Sequence, residues 1–265
     1  MYLAEIRRRP GFAPDGRFPW TIPVVAGLER LAFTAPVTFL VGENGCGKST
    51  LIEGLAAGMG AYAVGSVQEI RRDPMLAAAR RFAEGLLFVR RRHPRVKMFL
   101  RAEDVFGHVK AQLTEADELE AEAREIRDDP EGSEAWKQKS GGLLAGMAAA
   151  IRASDPDGRS HGESFLSILQ RRVHGAGLYF LDEPETPLSP TRQLALLRLL
   201  HDAAEAGAQL IVATHSPILM ALPGAAILEI RDGRIGPVAY DTIEHVAVTR
   251  RFLADPARML KALLD

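Results

Sequence analysis

The sequence holds one cysteine, Cys46, among 265 residues. No intrachain disulfide is available, and such usage suits a reducing compartment. A membrane-length apolar run is also missing. The charge-free stretch from Gly207 to Leu228 is interrupted by Gln209, Thr214, His215, Ser216, Pro217 and Pro223, which makes it a poor membrane helix. The opening MYLAEIRRRPGF has no signal-peptide apolar core. These absences predict a cytoplasmic protein with no transmembrane segment of its own. An excess of either charge is absent too: 33 basic residues stand against 34 acidic ones, a net of −1. That argues against a chain-wide attraction to nucleic acid or membrane. The balance hides two blocks, however. Residues 71–102 hold ten Arg/Lys against two acids, a net of +8, and residues 103–131 hold eleven acids against three Arg/Lys, a net of −8.

What is present is an ordinary globular composition, 47% apolar and 25% charged, long enough for a substantial core. Residues 37–50 read VTFLVGENGCGKST. Val37–Val41 is a short β-rich apolar run, suited to a buried strand. Gly42-Glu43-Asn44-Gly45-Cys46-Gly47-Lys48-Ser49 then matches the phosphate-binding pattern G-x-x-x-x-G-K-[ST], and Leu51–Ala57 continues as a helix. Gly42, Gly45 and Gly47 permit backbone closed to other residues and let N–H groups reach phosphate oxygens. The helix presents its positive end to the anion. Lys48 supplies charge at the β- and γ-phosphates, Ser49 is a ligand for Mg²⁺, and Thr50 donates toward the α-phosphate. Asn44 and Cys46 complete the expected nucleotide-binding loop, Cys46 in a variable slot as a small loop residue.

Two further apolar runs end in chemistry. Leu178–Leu181 ends in Asp182 and Glu183. A carboxylate at a strand's C-terminal end beside a phosphate loop holds Mg²⁺ through water, and Glu183 is placed to orient and deprotonate an attacking water. Leu210–Ala213 ends in Thr214 and His215, the position where α/β sheets present ligands. A neutral imidazole there would hydrogen-bond the γ-phosphate and the water.

These motifs, in this order, resemble those of the ABC-type nucleotide-binding ATPases. Gly42–Thr50 is similar to Walker A, Leu178–Glu183 to Walker B with its catalytic glutamate, and His215 to the switch histidine. RSHGE at 159–163 stands where the family has L-S-G-G-Q. Ser160 and Gly162 match it, while His161 and Glu163 depart. A helix N-cap by Ser160 is compatible with that role. PETPLSP at 184–190 resembles the D-loop. The resemblance implies an adenine-stacking aromatic, for which Phe18, Trp20 and Tyr2 all stand open, and a Q-loop glutamine, for which Gln68 is available but not assignable. DEPETPLSPTRQ and ATHSPILMALPGAAILEI look most like stand-alone bacterial ATPases related to RecF and chromosome-maintenance ATPases.

The implied fold class is α/β: a P-loop NTPase of ABC type over residues 1–265. A mixed-sheet ATP-binding lobe would be formed by 1–70 and 174–265. A helical lobe would occupy 71–173, between Walker A and the signature. Strands are expected at Leu3–Arg7 and Leu31–Phe33, an amphipathic helix at Thr191–Ala206 carrying Leu194, Leu197 and Leu200, and a hairpin turning at Asp232-Gly233. The acidic helix at 115–127 offers one heptad pair, Leu119 and Ile126, too few for a long coiled coil. Both charge blocks fall in the expected helical lobe, as two helices packed charge to charge or as faces for different partners.

The resemblance implies ATP and Mg²⁺ as cofactors and an ATP-dependent homodimer. In it Lys48, Ser49 and Asp182 of one copy hold ATP that Ser160 and Gly162 of the other cap. Glu183, His215 and Lys48 would carry catalysis. DNA is a possible partner through Arg90–Lys97, in repair or defence. A separate membrane subunit, as in a transporter, and a nucleotide-dependent switch or scaffold are the alternatives.

Overall fold

The computed structural model describes residues 1–64, 76–154 and 161–264. In chain order the first half carries β1 (Leu3–Arg8), α1 (Pro23–Ala26), β2 (Arg30–Ala32), β3 (Val37–Gly42), α2 (Lys48–Met59), β4 (Tyr62–Ala63), α3 (Ala77–Glu84), β5 (Leu86–Arg90), β6 (Lys97–Arg101) and α4 (Ala102–Asp128). The second half carries α5 (Glu134–Trp136), α6 (Gly142–Ser154), α7 (His161–Arg172), β7 (Leu178–Asp182), α8 (Pro190–Glu205), β8 (Gln209–Ala213), α9 (Pro217–Met220), β9 (Ala226–Arg231), β10 (Arg234–Pro237), α10 (Glu244–Ala254) and α11 (Pro256–Leu264).

The chain divides into two compact units: Met1–Ala102 with Leu169–Asp265, and Glu103–Ile168. The first holds a seven-stranded sheet in the order β10-β9-β3-β8-β7-β6-β4 and a three-stranded sheet, β2-β1-β5. Every pairing from β9 to β4 is parallel, and β10 closes the edge antiparallel through the expected Asp232-Gly233 hairpin. Strands covered on both faces read as continuous apolar runs, and β3, β7 and β8 are buried at every residue. The second unit is helical, built of α4, α5, α6 and the first turns of α7.

α2 occupies the middle of the first unit. It touches β6, β7 and β8 of the large sheet as well as β5 and α3. Leu51, Ile52, Leu55, Ala56 and Met59 are all buried, the pattern of a helix with no solvent face. Glycine makes the close approach possible: a Cβ at Gly54 would overlap the Phe82 ring of α3, and one at Gly58 the Phe88 ring of β5.

Three expectations change. The helical lobe is shorter than 71–173: residues 86–90 and 97–101 are strands, and the compact helical unit begins at Glu103. LLFVR and KMFLR hold only four and three consecutive apolar residues, runs whose period is ambiguous in isolation. The basic block is therefore not wholly helical. Its described residues form α3, two strands and their connection, while the acidic block lies mainly on α4. Finally, α8 forms where expected but buries Leu196, Leu200 and Ala203, leaving Leu194 58% exposed. The helix is leucine-rich on more than one face, and the sheet selects the stripe. Gln68 and Ser160 lie outside the described residues.

Candidate functional site

The strand register brings the three sequence motifs to one edge. Leu40 of β3 is level with Ala213 of β8, Ala213 with Asp182 of β7, and Asp182 with Arg101 of β6. The ladder continues one step beyond the strands: the Glu183 N–H donates to Ala213 O at 2.9 Å, and the Thr214 N–H to Leu40 O at 3.1 Å. The residues after each C-terminal strand end, Glu43–Lys48, Glu183 and His215, thus share a rim, where open parallel sheets hold ligands.

The loop after β3 turns through glycines. Gly42, Gly45 and Gly47 have φ of 147°, 77° and 105°. Gly47 caps α2 in left-handed backbone, and a Cβ there would lie 2.8 Å from Val24 Cγ1 and 2.9 Å from Ile22 Cγ2. Asn44 and Gly45 are exposed, whereas Cys46, Ser49 and Thr50 are half-buried. Lys48 is 4% exposed. Its Nζ donates to Gly42 O at 2.8 Å and Glu43 O at 2.9 Å, and no carboxylate pairs with it among the described residues.

Ser49 donates its hydroxyl to Asp182 Oδ1 at 3.2 Å. A hydroxyl beside a carboxylate is the oxygen donor set that a hard divalent cation takes, so these residues fit Mg²⁺. Burial pushes the Asp182 carboxyl up, against the opposing charge of Arg101 and the Ser49 hydrogen bond. Arg101 Nε lies 3.5 Å from Asp182 Oδ2, and its guanidinium also pairs with Glu53 of α2.

Glu183 sits in left-handed backbone, φ 47°, uncommon for a non-glycine residue and frequent at functional turns. Its Oε1 lies 3.7 Å from His215 Nε2, too far for a hydrogen bond. His215 Nε2 is buried with no partner. Burial, and then the charge of Lys48, hold its imidazole below the usual histidine range, with Glu183 opposing. The backbone carrying it is fixed by Glu185, whose buried Oε1 accepts from the His215 N–H at 2.6 Å. Burial pushes the Glu185 carboxyl up. On the other side of His215, Ser216 caps α9 by accepting from the Leu219 N–H and donates to Gln193 Oε1 at 2.6 Å. Gln193 in turn donates to Leu188 O at 3.1 Å, tying the 184–190 segment to the histidine turn.

Lys48, Ser49, Asp182, Glu183 and His215 are therefore gathered within the first unit. Gly162 is the second residue of α7. The three aromatics separate. Trp20 is 4% exposed, packed on Phe12 and Phe82 at ring-centroid distances of 5.0 and 5.4 Å. The Tyr2 N–H donates to Gln209 Oε1, at the start of β8 and so at the opposite end of the strands from the loop. Phe18 is 51% exposed, four residues before the Ile22 that abuts Gly47. Arg101, Glu185 and His245 belong to this rim without having been found in the sequence. Arg101 was hidden within a basic block, Glu185 lies in the 184–190 segment with no role of its own assigned, and His245 carries no local motif. The His245 ring centroid lies 5.9 Å from that of His215.

Two family models match the chain. One, described as "AAA domain, putative AbiEii toxin, Type IV TA system", covers residues 154–221, and the other, an AAA domain, covers 25–129. Among curated proteins, the chain is similar to the macrolide export ATP-binding/permease protein MacB of Neisseria meningitidis serogroup A, 26% identical over 203 residues, which are 74% of this chain and 28% of that protein. MacB 1 of Yersinia pestis bv. Antiqua is 27% identical over 204 residues, with the same coverages. The chain thus spans little more than a quarter of these relatives. Among solved structures, a nucleotide-free ATP-binding cassette from an ABC transporter aligns at 13% identity and TM-score 0.44, covering 97% of this chain and 96% of that one. The SMC head domain from Thermotoga maritima aligns at 18% identity and TM-score 0.41, covering 90% and 100%.

Proposed function

We propose, from the premise that this chain is a P-loop ATPase of the ABC type, that it binds ATP with Mg²⁺ at the loop after β3 and hydrolyses it. Lys48 carries this reading. A buried ammonium held by two neutral carbonyls, with no carboxylate paired to it among the described residues, lacks the counter-charge that an incoming anion would supply. The left-handed glycines aim backbone N–H groups into the same loop, and α2 opens there with its positive end.

The remaining residues take roles by position. Ser49 and Asp182 would hold Mg²⁺, which supplies charge neutralisation at the phosphates when bound. Glu183 accepts a proton from water at its carboxylate, whose Oε2 also accepts from the Thr186 hydroxyl at 3.4 Å and whose Oε1 lies 3.7 Å from His215 Nε2. His215, neutral by burial and the Lys48 charge, donates one N–H toward the γ-phosphate end. Glu185 positions the His215 backbone. Phe18 is the aromatic left exposed near the loop for the base. Two copies face each other head to tail, Ser160 and Gly162 of one capping the ATP of the other, so that ATP favours the closed dimer. Closure serves a DNA repair or defence process, the exposed Arg91, Arg92 and Arg95 between β5 and β6 meeting phosphates.

The MacB similarity favours a second reading, in which the same ATPase drives a membrane protein. Light scattering on the Glu183→Gln protein tests the shared core: ATP with Mg²⁺ should convert monomer to dimer, and ADP should not. A protein whose mass ignores ATP would overturn the dimer. DNA binding that weakens steeply with salt, lost on Arg91→Glu/Arg92→Glu/Arg95→Glu, supports the DNA reading. Co-purification with a polytopic membrane protein supports the other.

A further inference from the structure

His245 is the second residue of α10, a helix held at its start by Ile243 and Val246, which are 0% and 2% exposed. The turn before it is tied to the His215 segment: Tyr240 donates its hydroxyl to Pro217 O at 3.0 Å. The flanking anchors and this tie fix where the imidazole sits, 5.9 Å from that of His215, ring centroid to centroid. Its Nε2 is buried and has no hydrogen-bond partner, and the same is true of His215 Nε2. A buried polar atom left unpaired is costly, and here two belong to neighbouring imidazoles at the rim that holds Lys48. The charged groups facing His245 are Lys48, which opposes its protonation, and Glu229 and Glu244, which favour it. Burial dominates and holds the imidazole below the usual histidine range. A neutral ring with an N–H to give, in the field of the loop lysine, is a phosphate donor without its phosphate.

We propose that His245 is a second imidazole of the nucleotide site, donating to the γ-phosphate end of ATP and so separating triphosphate from diphosphate. The inference rests on the nucleotide reading above and adds a residue contributed from α10. It gives that helix a direct dependence on which nucleotide is bound. Lys48 answers to both nucleotides, because its charge lies at the β- and γ-phosphates; His245 answers to the third phosphate alone.

Equilibrium titration with ADP and with the non-hydrolysable analogue adenylyl-imidodiphosphate, in Mg²⁺, tests it. His245→Ala should weaken the triphosphate ~10-fold and leave ADP affinity as in wild type. His245→Gln, which keeps an N–H near the Nε2 position, should restore most of the loss. His245→Ala binding both nucleotides as wild type does, or losing both alike, overturns the inference. Lys48→Met separates the two levels. If it loses both nucleotides while His245→Ala loses neither, the nucleotide reading stands and the histidine inference fails. If Lys48→Met binds both as wild type does, the nucleotide reading itself fails. A readout on the intact protein guards against a variant that does not fold. In histidine-labelled wild type, the His245 ring-nitrogen resonance should move with the triphosphate analogue and stay with ADP. A resonance that answers both alike, or neither, overturns the inference.

Discussion

Lys48→Met separates a phosphate-binding lysine from a structural one, because the two roles predict different effects on stability with and without ligand. In the ligand-free protein the substitution removes two hydrogen bonds from the ammonium, to Gly42 O and Glu43 O, worth about 1.5–3 kcal/mol each. It also removes the desolvation cost of a buried ion with no counter-charge, several kcal/mol on its own. The terms oppose and nearly cancel, so the ligand-free variant should lie within about 2 kcal/mol of wild type, roughly 4–8 °C in Tm for a chain of this size. With ATP the balance differs. Wild type at a hundred times its Kd gains about 2.7 kcal/mol, a rise of roughly 5–10 °C. Removing one partner of a buried charge pair costs about 2–5 kcal/mol of binding. At the lower end of that range affinity falls by more than an order of magnitude, and the ATP-induced rise shrinks to a few degrees or less. Thermal denaturation with and without Mg²⁺ and ATP reads both quantities. A variant that unfolds far below wild type without ligand, yet keeps the full ATP-induced rise, would refute the reasoning and make Lys48 a structural residue.

Two further outcomes follow from burial. Glu185 has its folded-state pKa raised by burial above the ordinary 4.5, so its contribution to stability is full below that value and is lost as pH rises through the folded pKa. Glu185→Gln has no proton to lose, so denaturant midpoints should favour it progressively over wild type as pH rises through that window; a difference that stays flat with pH would contradict the assignment. Gly54→Ala should destabilise by about 1–3 kcal/mol, because a Cβ there overlaps the buried Phe82 ring, a cost larger than the helix-propensity gain of about 1 kcal/mol. Pairing it with Phe82→Leu should recover part of the loss, and a Gly54→Ala protein more stable than wild type would show that the helices can part.

The legible and illegible parts of the chain divide by how local their physics is. β3, β7 and β8 were legible because a parallel strand buried on both faces writes its burial as an unbroken apolar run, and each run ends in a residue with a chemical signature. The α2 start was legible because Gly42, Gly45 and Gly47, all at positive φ, mark the turn that opens it. The stripe on α8 was not, since Leu194, Leu196, Leu197 and Leu200 satisfy more than one helical face, and the choice of Leu196 belongs to the sheet beneath. Strand β5 was lost inside a basic block, because a four-residue apolar run followed by arginine carries no decisive period. Arg101, Glu185 and His245 reach the site only through register and tertiary packing: Arg101 by lying level with Asp182, Glu185 by accepting the His215 N–H, and His245 by the turn that Tyr240 ties to Pro217. Nothing in the neighbouring sequence of those residues announces the partner.

The central claim is that this chain hydrolyses ATP with Glu183 as the base, at a site where Lys48 binds the phosphates. Initial rates of phosphate release at saturating ATP and Mg²⁺, wild type against Glu183→Gln, test it most directly. The account predicts turnover in wild type and a loss of about 10²–10⁴-fold in the variant, with ATP affinity unchanged. Equal rates in the two proteins, or no turnover in either, would contradict it.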